Sequence, residues 1–218
     1  EFTSHASHEL RTPLSRITSQ IENTISDLST SDKGKSFLKT ILSDVNQLTE
    51  LITSLLVLSK IDNKNQENSE VHRMDEILFS AIESVNKSFP DFVILFDMEE
   101  SDNLDTVLEI KGNKNLLEIA LSNVLKNACA YSDNKQAEVK ISTYKNQLII
   151  SVLNTGKTLS ETEQKNLFQP FMRGKNSKGT SGFGLGLRIV NRILTLHKAQ
   201  ISYSVPQENT NLFQLIFH

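Results

Sequence analysis

The sequence predicts an α+β chain in two parts: a helical hairpin that dimerises into a four-helix bundle, then an α/β sandwich with a mixed sheet and helices on one face. Three observations carry this prediction. In the first 61 residues apolar side chains recur at steps of three and four, with no strand alternation. A polar stretch without period, Asp62 to Glu70, comes next. From Val71 onward strand-like and helical runs mix, without the strict alternation of a parallel βαβ sheet.

The elements follow in order. Phe2, Ala6, Leu10, Leu14, Ile17, Ile21, Ile25 and Leu28 draw one apolar stripe down a helix. Ser29 to Gly34 reads as a turn. Phe37, Leu38, Ile41, Leu42, Val45, Leu48, Leu51, Ile52, Leu55 and Leu56 form a second helix with a wide apolar face. Helices joined by a short turn pack antiparallel, and one hairpin cannot cover faces this wide. A second copy of the chain completes a bundle by two-fold symmetry. The expected domains are therefore a hairpin over 1–61, a linker over 62–70 and a second domain over 71–218. In the latter, Met74 to Val85 suggests a helix, Phe92 to Phe96 a buried strand and Val107 to Ile110 another strand. Leu116 to Tyr131 reads as a helix capped by Asn113. Strands at Val139 to Tyr144 and Leu148 to Leu153, a helix at Phe183 to Leu196, and strands at Ile201 to Val205 and Leu212 to Phe217 complete the chain.

The 218 residues suffice for one large domain or two modest ones. A net charge of −3 offers no basic excess that would make nucleic acid or an anionic membrane the main partner. The single cysteine, Cys129, rules out an intrachain disulfide, is consistent with a reducing compartment and reads as a small core residue. There is no apolar run of about 18 residues to span a membrane, and no signal peptide. The chain begins inside a helical pattern at Glu1-Phe2-Thr3, which reads as a fragment of a longer protein.

The most informative octapeptide is Ser7-His8-Glu9-Leu10-Arg11-Thr12-Pro13-Leu14. On a helical wheel His8 lies about 200° from Leu10, away from the apolar stripe, with Arg11 and Thr12 on its own face. An exposed imidazole is a competent nucleophile at neutral pH, because a ring nitrogen keeps its lone pair. Pro13 cannot donate to the carbonyl of Glu9 and its ring crowds that carbonyl, so a bend is expected just beyond the histidine, at a cost of ~3 kcal/mol. His5 reads as an ordinary solvated residue.

Four further segments carry chemistry. Asn123 and Asn127 lie four apart on an apolar helix and share one face. Val152 to Thr158, with Asn154 and Gly156, leaves a strand. Leu167-Phe168-Gln169-Pro170-Phe171-Met172-Arg173 precedes Gly174 to Ser181, a lid-like loop with Lys175 and Lys178. Gly182-Phe183-Gly184-Leu185-Gly186-Leu187 opens a helix, where glycines let backbone approach phosphate and free N–H groups await it. It follows a loop, not a strand, unlike a dinucleotide-binding fingerprint.

In order and spacing these five segments resemble the H, N, G1, F and G2 boxes of the sensor histidine kinases of two-component systems. The resemblance implies a HisKA-type dimerisation and phosphoacceptor hairpin followed by a GHKL-type domain with the Bergerat ATP-binding fold, shared with gyrase and the Hsp90 chaperones. It implies that His8 accepts a phosphoryl group from ATP, that Glu9 is the general base, and that Thr12 positions water for dephosphorylating the partner. Because neighbouring helix residues diverge by about 100°, Glu9 must reach sideways. By the same resemblance Asn127 ligates Mg2+, and Asn123 and Tyr131 line the triphosphate and the adenine. Asn154 accepts from the adenine amino group, Gly156 belongs to the same turn, Arg173 reaches the terminal phosphate, and Gly182, Gly184, Leu185 and Gly186 frame the phosphates. The implied partners are a second copy of the chain and the receiver domain of a response regulator. The implied setting is the cytoplasmic portion of an inner-membrane sensor, attached to the membrane only through segments N-terminal to this one.

The sequence departs from the family at four places. Asn154 and Thr158 stand where the Asp-x-Gly-x-Gly pattern has aspartate and its second glycine. Ala130 replaces a frequent lysine, so a charge contact is missing or supplied elsewhere, for instance by Lys126. Lys198-Ala199 follows His197 in place of glycines. Rival expectations are weak kinase activity with a phosphatase or phosphorelay role, an ATPase without histidine phosphorylation, and a non-catalytic dimerisation module.

Overall fold

A computed structural model describes residues 2–26, 32–62, 70–101, 103–174 and 183–218. The chain divides into two compact units, residues 1–63 and 64–218. In the first, α1 (Phe2–Ser26) and α2 (Asp32–Asp62) pack together as a hairpin. The stripes read from the sequence lie on these helices, apart from Leu28, which with Ser29 to Ser31 of the expected turn lies outside the described residues. Asp32, Lys33 and Gly34, expected in the turn, instead form the first turn of α2, where Asp32 suits the positive end of the helix dipole. Helix α1 runs through Pro13. Among the described side chains of the hairpin only Ile21 and Val45 are buried. Phe37, Leu48, Leu55 and Ile17 are 66 %, 50 %, 48 % and 42 % exposed, so much of the apolar face meets no other part of this unit.

The second unit runs β1 (Val71–Arg73), α3 (Met74–Ser88), β2 (Val93–Met98), α4 (Leu104–Leu108), β3 (Glu109–Lys111), α5 (Lys114–Tyr131), β4 (Gln136–Tyr144), β5 (Gln147–Thr155), α6 (Glu161–Lys165), α7 (Gly186–Leu196), β6 (Gln200–Ser204) and β7 (Thr210–Phe217). The strands β1 and β3 make a small antiparallel ribbon. The main sheet has the order β2-β4-β5-β7-β6; only β2 and β4 are parallel, so the sheet is mixed as expected. Inward residues alternate along the strands: Ala137, Val139 and Ile141, then Leu148, Ile150 and Val152, then Phe213, Leu215 and Phe217. They bury against Leu117, Leu121, Val124 and Leu125 of α5 and Ile189, Val190 and Ile193 of α7, while Met74, Ile77, Leu78 and Ala81 of α3 are buried where it packs on α5. Each of these Val, Leu, Ile, Phe and Met side chains contributes about 1.5–3 kcal/mol by leaving water, which makes this face the core of the unit.

Several local expectations need correction. Val107 to Ile110 is not one strand, because α4 continues to Leu108 and the short β3 begins at Glu109. Phe92 to Phe96 does not form a buried strand: β2 is an edge strand with only one strand neighbour, and Val93 and Leu95 are exposed. An apolar run alone does not distinguish a central strand from an edge strand covered on one face. The helix expected from Phe183 begins at Gly186. The strand β1 and the helix α6 were not read from the sequence, although α6 carries a legible capping box. Ser160 Oγ accepts from Glu163 N, and Glu163 Oε2 accepts from Ser160 N at 2.8 Å.

Local chemistry explains the remaining boundaries. Asn113 caps α5 as expected, its Oδ1 accepting from Leu116 N at 3.1 Å. Between β4 and β5, Lys145 and Asn146 take φ of 49° and 62°, the two-residue turn whose twist suits a hairpin. Arg73 forks onto Asp75 at the start of α3 and reaches Asp105 of α4 at 3.1 Å. No helix among the described residues is long and apolar enough to cross a membrane.

Candidate functional site

The helix α5 presents Asn123, Asn127 and Tyr131 at steps of four, hence on one face. All three are partly exposed although the opposite side of the helix is fully buried. Asn123 Nδ2 donates to Ile119 O at 2.8 Å, which turns its Oδ1 outward. A Cβ placed on Gly186 would come 2.9 Å from that Oδ1, so the start of α7 lies directly against Asn123. The Asn127 carboxamide has no hydrogen-bond partner among the described residues. Lys126 and Ala130 are both exposed.

The turn before α7 is built against the segment from Leu167 to Arg173. Leu167 anchors that segment in the core. Phe171 N donates to Gly184 O at 3.1 Å, and a Cβ on Gly184 would collide with the carbonyl of Met172. Gly184 has φ +70°, where L side chains are strained, so glycine is required there twice over. The Leu185 side chain is buried, so the only face it can offer a ligand is its backbone. Beyond it, the N–H groups in the first turn of α7 lack intrahelical acceptors, as at every helix start. Arg173 is exposed. Gly182, and with it Lys175 to Ser181 of the lid-like loop, lies outside the described residues.

A second cluster joins the end of α5 to the end of β5. Asn154 is 2 % exposed, and its Nδ2 donates to Tyr131 O and Thr155 O, both at 3.3 Å. With the amide nitrogen so committed, the carbonyl Oδ1 is the end left to accept from a ligand. Gly156 follows, its N donating to Asn209 O at 2.7 Å, and a Cβ there would run into the Tyr131 carbonyl. Asp133 N donates to Thr155 O at 2.9 Å and completes the junction.

Two buried polar residues here escaped the sequence reading. Thr210 and Asn211 begin β7, and Asn211 lies opposite Asn154 in register. An asparagine at an inward position of an otherwise alternating strand was the available signal. The thiol of Cys129 is pushed up to about 11 by burial, so it is no nucleophile at neutral pH, and it is half-buried rather than fully in the core. At the far end of α7, His197 accepts from Asn113 N through Nε2 at 3.0 Å, while Nδ1 lies 2.8 Å from Ile193 O. Burial pushes its pKa down, and the hydrogen bond to Ile193 opposes this in part. The neutral ring thus ties the C-terminus of α7 to the N-terminus of α5.

Nine of the sequence-derived residues gather into three groups. Asn123, Gly184 and Gly186 belong to the α5–α7 junction, and Tyr131, Asn154 and Gly156 to the α5–β5 junction. His8, Glu9 and Thr12 lie on α1 of the first unit, with helical backbone; their side chains lie outside the described residues. Among the described residues no cluster of three or more His, Cys, Asp or Glu side chains could hold a metal.

Comparison with known proteins bears on both units. Residues 1–64 match the His Kinase A (phospho-acceptor) domain, and residues 112–218 match the histidine kinase-, DNA gyrase B-, and HSP90-like ATPase family, so only residues 65–111 fall outside the two. Heme sensor protein HssS of Staphylococcus aureus strain Newman is 32 % identical over 224 residues, covering 98 % of this chain and 46 % of that protein. The chain thus spans about half the length of the curated relatives it matches. Among solved structures, full-length ShkA in complex with AMPPNP aligns with TM-score 0.73 at 17 % identity, over 100 % of this chain and 45 % of that one. The Acinetobacter baumannii histidine kinase AdeS aligns with TM-score 0.61 at 22 % identity, over 96 % of each chain. With a phosphoacceptor hairpin in the first unit and an ATPase fold of this kind in the second, the chain belongs to the sensor histidine kinase family.

Proposed function

We propose that this chain transfers the γ-phosphoryl group of ATP to His8 and passes it on to an aspartate in the receiver domain of a response regulator. The observation that carries the reading is the bare backbone that Gly186 and Gly156 set against α5 at Asn123 and Tyr131, with Gly184 fixing the turn that leads into Gly186. Gly186 lies on Asn123, Gly184 on Phe171 and Met172, and Gly156 on the carbonyl of Tyr131. At Gly184 and Gly186 this leaves bare backbone where a triphosphate would need close approach.

In this reading the Oδ1 of Asn154 accepts from the adenine amino group. Tyr131 packs beside the base, the backbone of Gly182, Gly184, Leu185 and Gly186 borders the phosphates, and Arg173 reaches the terminal one. Asn127 would hold Mg2+. Its unengaged carboxamide fits an ion that takes most of its ligands from phosphate and water. When bound, the ion neutralises charge on the phosphates. A ring nitrogen of His8 then forms a bond to the γ-phosphorus as the bond to the bridging oxygen breaks, and ADP leaves. Glu9 takes the imidazole proton. Such a transfer needs positioning and charge neutralisation more than covalent machinery. Thr12 positions the water that later dephosphorylates the regulator.

The exposed apolar face of the hairpin supports a homodimer closed into a four-helix bundle, with Phe37, Leu48 and Leu55 against the second copy. The chain is read as the cytoplasmic part of a membrane-anchored sensor, with no role for nucleic acid. Incubation with γ-labelled ATP and Mg2+ tests the function. Acid-labile, base-stable label on the protein is expected, together with its loss in His8→Gln. Equal labelling of that variant overturns the assignment, and release of free phosphate without labelled protein points to an ATPase.

A further inference from the structure

The inward faces of β5 and β7 are apolar until the rung before the last, Asn154 opposite Asn211. Leu148, Ile150 and Val152 lead along β5 to Asn154, and Phe217, Leu215 and Phe213 lead along β7 to Asn211, directly opposite. Asn211 is 5 % exposed, yet both ends of its carboxamide are bonded. Its Nδ2 donates to Gly156 O at 3.2 Å, and its Oδ1 accepts from the Tyr203 hydroxyl at 2.7 Å. The same hydroxyl accepts from Leu159 N at 3.2 Å. Side chains of β6 and β7 thus grip the turn leaving β5 at both ends, Gly156 and Leu159. Between those ends sits Thr158, where the family pattern has its second glycine. A buried amide with both ends satisfied fixes geometry that an apolar pair would leave loose.

The grip reaches the ligand-facing group through few bonds. Asn211 holds the carbonyl on one side of the Gly156 Cα; the peptide on the other side has its N–H tied to Asn209 O at 2.7 Å and carries the Thr155 carbonyl that receives Asn154 Nδ2. Orienting that Nδ2 orients the Oδ1 on the other side of the same planar carboxamide. We propose that Tyr203 and Asn211 are positioning residues that aim the Asn154 carbonyl, and thereby set the preference for a purine carrying a 6-amino group. The inference rests on the nucleotide reading above.

The test compares ATP with inosine triphosphate, which has a keto oxygen in place of the amino group, by titration of the full chain with Mg2+ present. The wild-type chain prefers ATP. Tyr203→Phe removes one hydroxyl, and ATP affinity falls about tenfold while ITP affinity falls far less, so the preference collapses. In an Asn154→Ala background the same change adds nothing to the loss of preference, because the two act through one group. Equal loss of both nucleotides, with the preference kept, reveals a structural stitch and overturns the proposal while leaving the nucleotide reading intact. A wild-type chain that binds neither nucleotide overturns both. Should Tyr203→Phe prove too unstable to titrate, amide exchange decides: the Leu159 N–H of the wild-type chain exchanges slowly, and fast exchange there overturns the relay.

Discussion

Restoring the family's aspartate by Asn154→Asp is expected to weaken this protein. Sequence comparison alone suggests the opposite, since a carboxylate accepts more strongly from an adenine amino group than a carboxamide does. In the structure, however, one end of the Asn154 side chain is a donor facing the carbonyls of Tyr131 and Thr155, both at 3.3 Å, and the residue is 2 % exposed. An aspartate would turn an oxygen toward two oxygens. Losing two hydrogen bonds costs about 1 kcal/mol each, and confronting buried acceptors with a charge adds at least about 1 kcal/mol. The expected total is about 3 kcal/mol of stability at pH 7. Burial and the two carbonyls raise the folded pKa of the new carboxyl above its unfolded value near ~3.9. The deficit is therefore smallest below that value, where both states are protonated, and grows as pH rises through the folded value. Urea unfolding of both proteins from pH 4 to pH 8, with ATP titration at pH 7, measures it. A variant as stable as the wild type at pH 7, or one that binds ATP more tightly, refutes the reasoning.

Three further outcomes are expected. Burial holds the pKa of His197 below that of a free imidazole, so the stability it confers is complete above about pH 6.5 and is lost as pH falls through the folded value. The urea midpoint of the wild-type chain should fall between pH 7.5 and pH 5.5, and His197→Gln, which keeps an acceptor for Asn113 N, should flatten that dependence. Gly184→Ala, forced to φ +70° against the Met172 carbonyl, should cost about 1–3 kcal/mol in thermal unfolding and weaken ATP binding more than a surface Gly→Ala does. Replacing both Leu48 and Leu55 by Glu should convert a dimer to monomers in sedimentation velocity while leaving ATP binding by the second unit unchanged.

How much of this was legible differs from element to element. The long helices announced themselves because runs of 25 and 31 residues with a helical period leave little ambiguity, and α5 announced even its cap through Asn113. Short elements did not. The run Val107 to Ile110 has no length over which a period could show, and tertiary contacts split it between α4 and β3. The apolar run of β2 read as buried because composition records that a strand meets a core, not how many strands flank it.

The sequence by itself determined the chemistry on offer: a histidine beside an acid on a helix, asparagines four apart, glycines before a helix start, and their order along the chain. These are local properties, set by side-chain type and spacing. Only the tertiary structure decided which end of Asn154 faces outward, why Gly184 admits no side chain, that Gly186 lies against Asn123, and that Asn211 and Tyr203 belong to the same corner. Among the described residues α6, α7 and β6 separate Asn154 from Asn211 along the chain, and the two meet only because β5 and β7 pair in one register. Hydrogen bonds between such distant groups follow from packing, which no local pattern of residues encodes.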